Sequence, residues 1–228
     1  MKKHLVLLFP IVVALFTYFL CRPKANAQTI DNSNAEQTAN KDIINMEKTY
    51  VFLADGFEEI EALATVDLLR RAGIEVETVS INPTLAVRGA HNIEVAADIL
   101  LENCPEGARM YIVPGGMPGA KHLAENARVC RLLSAQHKAG GKIAAICAAP
   151  AVVLAPLGII DEYEATCYPG FEEGVTAGGA HHKNQRVVVD RNVITANGPS
   201  SAIPFALSII EALKGQDAAD KVAEGILL

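Results

Sequence analysis

Tryptophan is absent from this 228-residue chain, and phenylalanine and tyrosine bring the aromatic share only to 5%. A surface that stacks unpaired bases needs such rings, so single-strand nucleic-acid binding fits poorly. Cysteine is scarce, at 5 residues, too few for a scaffold built on disulfides. Basic charge is short as well, with 20 Lys and Arg against 26 Asp and Glu. The shortage deepens past residue 27, because the first 27 residues hold Lys2, Lys3, Arg22 and Lys24 and no acid. The remainder carries 16 basic and 26 acidic side chains, a net charge of 16 − 26 = −10. A body that acidic has no general attraction for phosphate backbones. Half of the residues are hydrophobic, which points to a folded globular chain and away from a disordered or fibrous one.

The amino terminus reads as an address. Met1–His4 is short and basic, Leu5–Leu20 is apolar apart from Pro10, Thr17 and Tyr18, and Ala25-Asn26-Ala27 offers small residues where a signal peptidase cleaves. That order is a secretory signal cut after Ala27. As an uncleaved anchor it is short of the roughly 20 residues a span needs, and Pro10 weakens the helix. Cys21 follows bulky Phe19 and Leu20, unlike a lipoprotein site. Residues 28–45 are polar and without apolar period, a flexible tether. One folded domain then runs from Met46 to Leu228. The expected location is periplasmic or secreted, with contact to a membrane only through the signal before cleavage. Met46 stands directly before the first strand, so initiation there would give a cytoplasmic product instead.

Within the body, Thr49–Ala54, Glu75–Ser80, Met110–Val113 and Lys142–Ile146 have strand character, as do Glu164–Cys167, Val187–Asp190 and Val193–Ala196. Glu58–Ala72 has helical spacing, with Ile60, Leu63, Ala64, Asp67, Leu68 and Arg71 recurring at three and four and Gly73 as the stop. Further helices are expected over Ala127–Ala139, Ala148–Leu157, Ser201–Leu213 and Ala218–Ile226, and a short hairpin between Val87 and Val95. Strands alternating with helices argue for an α/β fold, a mostly parallel sheet covered on both faces. Ligands in such folds collect at the carboxyl ends of strands. Three loops lie there: Asp55–Glu61, Pro114–Gly119 and the junction at Cys147.

Ala144-Ala145-Ile146-Cys147-Ala148-Ala149-Pro150 puts a thiol between a strand and a helix, with small residues two positions to either side. A sharp strand–nucleophile–helix turn needs such neighbours, as in the serine elbow of hydrolases. Helix N-terminal amides favour negative charge, so this thiol is expected to ionise more readily than a free one. A buried structural cysteine is the competing reading. Pro114-Gly115-Gly116 ends another strand, and its bare amides with that of Ala148 could form an oxyanion site; a plain turn would have the same sequence. Of Glu58, Glu59 and Glu61, the first two read as solvated partners of a helix dipole. Any of the three that faced inward would have its pKa raised by burial and could share a proton with Cys147. Spacing alone does not choose among them. Arg70 and Arg71 read as dipole partners in a last turn and Ser200 and Ser201 as helix caps. Cys104 and Cys130 show no partner spacing, and no Cys–His spacing matches a zinc site.

LADGFEEIEA, VPGG and AAICAAP, in this order, resemble the ThiJ/PfpI superfamily, and most of all its branch containing the Parkinson-disease-associated protein deglycase. The resemblance runs from about Lys48 to Leu228 and takes in VDLLRRAGIEV and NGPSSAIPFALSIIEAL. It implies a flavodoxin-like three-layer sandwich, a homodimer, and a reactive cysteine in a strained elbow. It assigns the nucleophile to Cys147, the acid beside it to Glu61, and the oxyanion amides to Gly116 and Ala148. Gly115, Tyr168 and Arg88 fall at the pocket, Arg88 also near the dimer seam. Tyr168 stands where many relatives carry a histidine, so a Cys-His-acid hydrolase triad lacks its imidazole. His181 and His182 read as a solvated loop. The implied activity is cofactor-independent and metal-free action on reactive aldehydes, as a glutathione-independent glyoxalase or a deglycase of early glycation adducts. Alternatives are an oxidation sensor or redox-regulated chaperone using Cys147, with Cys167 as a possible disulfide partner, and, further off, a peptidase or amidase.

Overall fold

The computed structural model describes residues 47–228. The signal segment, the tether and Met46 lie outside the described residues. Seven strands form one sheet in the order β10-β11-β7-β6-β1-β2-β5. They are β1 (Thr49–Leu53), β2 (Val76–Ser80), β5 (Ile99–Leu100), β6 (Met110–Val113), β7 (Lys142–Ile146), β10 (Val187–Asp190) and β11 (Val193–Ala196). All neighbours are parallel except β10 and β11, which pair antiparallel at one edge. Every residue of β1, β6 and β11 is buried, as expected of strands covered on both faces.

The helices are α1 (Glu59–Arg71), α2 (Gly119–Glu125), α3 (Ala127–Lys138), α4 (Glu172–Ala177), α5 (Ala202–Lys214) and α6 (Gln216–Gly225). Helix α1 packs on α5, and α5 on α6. Helix α3 begins at Asn126, whose side chain accepts from the amides of Arg128 and Val129 at 3.0 and 3.2 Å, satisfying two donors the first turn leaves open. Hairpin β3 (Ala86–Arg88) and β4 (Glu94–Ala96) forms the expected pair.

The α/β architecture matches the sequence reading, and several details differ. The expected helix Ala148–Leu157 is one π-helical turn, Pro150–Leu154, followed by a 3₁₀ turn, Ala155–Leu157. Helices α2 and α4 and strand β5 are too short for periodicity to reveal. The strand foreseen over Glu164–Cys167 is only β8 (Glu164–Ala165), paired with β9, His181–His182; the two histidines therefore stand in a strand and not in a loop. Ser201 precedes α5, but its hydroxyl donates to Asn197 Oδ1 at 2.7 Å instead of capping the helix. In α1 the helix is as expected and the face is not. Ile60, Leu63, Asp67 and Arg71 are exposed, while Glu59, Glu61, Ala62, Thr65, Val66, Leu68 and Leu69 are buried. The apolar spacing had two competing registers, and packing against the sheet and α5 selected the one that carries acids inward.

The chain leaves β1 toward β2 and β5 on one side, then returns to β6 on the other. This reversal of winding opens a crevice at the carboxyl ends. Strands β7, β6 and β1 are consecutive neighbours, so the loops after them meet at that edge.

Candidate active site

Cys147 ends β7 with φ of 68°, the left-handed region that costs a non-glycine residue about 1–3 kcal/mol. Its backbone is held from both sides. The Cys147 amide donates to the Ala196 carbonyl at 2.8 Å, and its carbonyl accepts from the Tyr168 amide at 2.8 Å. The strain thus has a structural source: continuing the β7–β11 pairing fixes the amide, while the segment after β8 fixes the carbonyl. The side chain is turned up at the sheet edge and is 8% exposed.

The loop after β6 supplies the second part. The Gly115 carbonyl accepts from the Glu58 amide at 3.0 Å, so this loop and the loop after β1 are bonded backbone to backbone. A side chain at Gly115 has no room: an added Cβ would lie 2.5 Å from Cys147 Cβ, 2.7 Å from Glu61 Oε2 and 3.0 Å from Cys147 Sγ. Gly116 has φ of 87°, and a Cβ there would meet the Glu58 nitrogen at 2.4 Å. Glycine at both positions lets the Gly116 amide reach the thiol, where with the Ala148 amide it favours the thiolate.

Glu61, in the first turn of α1, completes the group. It is 1% exposed. Its Oε2 accepts from the Gly115 amide at 2.9 Å, while Oε1 is buried with no hydrogen-bond partner of ordinary geometry. Burial is the main cause that lifts this carboxyl to about 7; the neighbouring thiol and the Gly115 amide pull the other way, and the Glu58 charge adds to the rise. Cys147 departs from the sequence expectation. Burial, followed by the Glu61 charge and the bond to that carboxylate, pushes the thiol up to about 12 against the lowering by the two amides. The helix-terminal amides are present, but desolvation outweighs them. The two groups share a proton, and the pair rather than either residue is what titrates.

The reading of Glu58 and Glu59 as solvated is also corrected: both are buried. Glu58 caps α1, its Oε2 accepting from the Glu61 amide at 2.7 Å. Glu59 accepts from the His91 amide and pairs with His91 Nδ1, each at 2.7 Å. Donor atoms of Glu58, Glu59 and His91 lie within 4.8 Å of one another, but they are engaged in these bonds, and a cation there would face the positive end of α1. His91 was missed from sequence. It lies 32 positions from its partner, and nothing in the local pattern marks it.

Among the remaining predicted positions, Tyr168 lies beside the elbow, its backbone N–H donating to the Cys147 carbonyl. Arg88 is on hairpin β3–β4: its guanidinium pairs with Glu94 at 3.2 Å and its amide donates to Asp55 Oδ1 at 2.9 Å. These bonds do not bring the Arg88 side chain to the Cys147–Glu61 pair. Cys104, Cys130, Cys147 and Cys167 are all free thiols. Burial, then Glu172, pushes Cys167 up to about 11; Glu172 and not Cys147 is the charge its thiol feels.

The DJ-1/PfpI family model matches residues 47–212. Protein dj-1beta of Drosophila melanogaster is 37% identical over 179 residues, 78% of this chain and 95% of the relative. Glutathione-independent glyoxalase DJR-1.2 of Caenorhabditis elegans is 37% identical over 172 residues, 75% of this chain and 90% of the relative. The solved structure of oxidized Toxoplasma gondii DJ-1 superposes with a TM-score of 0.76 at 40% identity, covering 79% of this chain and 97% of that one. With the elbow and its acid formed in a fold shared with these proteins, this chain belongs to the DJ-1/PfpI family.

Proposed function

We propose that the protein is a cysteine-dependent, cofactor-independent enzyme acting on reactive aldehydes, a glutathione-independent glyoxalase that converts methylglyoxal to lactate. The observation that carries the reading is the buried Glu61 carboxyl coupled to the Cys147 thiol, its Oε1 without a hydrogen-bond partner, with two backbone amides reaching the same sulfur. A carboxyl titrating at about 7 is near half-protonated at neutral pH, so it can both give and take a proton. The name of the Caenorhabditis elegans relative supports the same class.

The chemistry follows from those groups. Cys147 Sγ adds to the aldehyde carbon as its proton passes to Glu61, and the former carbonyl oxygen becomes an oxyanion held by the Gly116 and Ala148 amides. Glu61 returns a proton to that oxygen, giving a hemithioacetal. Its carboxylate then takes the proton from C1, and an enediol forms. The C1 hydroxyl gives its proton to the C2 oxygen and Glu61 returns its own to C2, leaving a thioester of lactate on sulfur. Water cleaves the thioester, releasing lactate and restoring the thiol. Methylglyoxal and water become lactic acid with no net oxidation, so no external redox partner enters the balance. Removal of an early glycation adduct would begin with the same attack.

Cys147→Ala and Glu61→Gln proteins are expected to lose methylglyoxal turnover, read by enzymatic detection of lactate. Undiminished turnover in either ends the proposal. Peroxide sensing is the second reading, since the Glu61 carboxyl is coupled to the Cys147 thiol and in its protonated form can donate a hydrogen bond to an oxidised sulfur. Sulfinate on Cys147 after mild peroxide, with no aldehyde turnover, would favour it. Export through the amino-terminal segment and self-association as a homodimer complete the proposal. A native mass beginning at Gln28 supports export, and one beginning at Met46 refutes it.

A further inference from the structure

Two large apolar side chains at the carboxyl edge contribute to no core: Met117 is 48% exposed and Tyr168 44%. Both attach to the cradle of the reactive sulfur. Met117 directly follows Gly116, whose amide faces the thiol. Tyr168 donates its amide to the Cys147 carbonyl at 2.8 Å. The Tyr168 ring is held in place. It meets Phe171 edge-on, with centroids 6.5 Å apart and planes at 71°. It also rests on Gly198, where an added Cβ would lie 3.0 Å from Tyr168 Cδ2. Gly198 stands just beyond β11, and Met117 just beyond β6. The strand order β11-β7-β6 therefore puts the end of β7, which carries Cys147, between the end of β11, where Gly198 supports the Tyr168 ring, and the end of β6, which leads to Met117.

Exposed apolar side chains around a nucleophile have a use when the substrate covers them. A rigid ring gives contact area with little loss of side-chain freedom, and methionine adapts to an aromatic partner through its polarisable sulfur. Methylglyoxal carries only a methyl group and covers neither. We propose that Tyr168, backed by Phe171, and Met117 form an apolar collar that makes the site select 2-oxoaldehydes bearing an aryl group, with Tyr168 as the specificity-determining residue. This rests on the aldehyde reading above and names its substrate class. The bond changes are those already given. Sulfur adds at the aldehyde carbon, the proton moves from C1 to C2, and water releases an aryl 2-hydroxy acid.

The test compares phenylglyoxal with methylglyoxal on the full-length protein and its Tyr168→Ala and Tyr168→Phe variants. The wild-type protein is expected to favour phenylglyoxal about tenfold in kcat/KM, a difference equivalent to about 1.4 kcal/mol. Tyr168→Ala is expected to bring the ratio near one, mainly through KM for phenylglyoxal, and Tyr168→Phe to keep it. A ratio that survives Tyr168→Ala, or a wild-type ratio of one, overturns the proposal.

A second measurement does not depend on turnover. Alkylation of Cys147 by 2-bromoacetophenone and by bromoacetone is followed by intact mass, each rate divided by that for free glutathione. A bias toward the aryl reagent that disappears in Tyr168→Ala supports the collar, even if no glyoxal is turned over and the aldehyde reading falls. Equal normalised rates in the wild-type protein overturn the collar, even if methylglyoxal turnover persists.

Discussion

Replacing Glu61 by glutamine should stabilise the protein at alkaline pH while abolishing its activity. Glu61 titrates at about 7 in the fold against an ordinary 4.5, because it is buried at the end of α1 under the loop after β6. Between those values the native state holds a proton that the unfolded chain has released. Stability therefore falls as pH rises across the window: the contribution is fully present below 4.5 and lost as pH passes through about 7. At about 1.36 kcal/mol per pKa unit, the swing is about 3 kcal/mol. Glutamine keeps an oxygen to accept from the Gly115 amide and has nothing to titrate. Urea unfolding at pH 4.5 and pH 8 reads the difference. The wild-type midpoint should drop relative to Glu61→Gln by about 1–3 M between the two pH values, for slopes of about 1–3 kcal/mol per M. Parallel pH dependence in the two proteins, with a relative change under about 1 kcal/mol, would refute the assignment of a buried protonated carboxyl. The expected pairing of gained stability with lost turnover is the trade-off common at active sites.

Gly115→Ala inserts a carbon 2.5 Å from Cys147 Cβ and 2.7 Å from Glu61 Oε2. Overpacking should destabilise by about 1–3 kcal/mol and separate the pair, read as a lower Tm and slower Cys147 alkylation. Alkylation of wild-type Cys147 should rise as pH passes through about 7, where the pair sheds its first proton, and then level off. In Glu61→Gln the charge that raises the thiol is gone, so the rate should keep rising into the alkaline range and exceed the wild-type rate above pH 7; iodoacetamide rates followed by mass spectrometry check both. Asn126→Ala leaves the Arg128 and Val129 amides without their acceptor. It should reduce stability by about 1 kcal/mol, measured by thermal unfolding, with turnover unchanged.

Much of the fold was legible in the sequence because strands buried on both faces are continuous apolar runs. Thr49–Leu53, Met110–Val113 and Lys142–Ile146 stand out by that feature alone. The elements that escaped, Gly119–Glu125, Glu172–Ala177 and Ile99–Leu100, are shorter than a period can register. The face of α1 escaped for another reason. Ile60 and Leu63 make as good an apolar stripe as Ala62, Val66 and Leu69, and only the surface against which a helix packs decides between them.

The site divides along the same line. Sequence alone determined a thiol at a strand end between small residues, a glycine pair after another strand, and three glutamates after the first, because each is a local pattern. The resemblance singled out Glu61 among those three. Tertiary structure decided their meaning. The order β7-β6-β1 brought the three loops to one edge. The register of α1 turned Glu61 inward and gave Glu58 and Glu59 structural partners. Burial then reversed the sign expected for the thiol. Desolvation and proton sharing depend on what surrounds a group in space, and residues 61, 115 and 147 become neighbours only when the sheet forms.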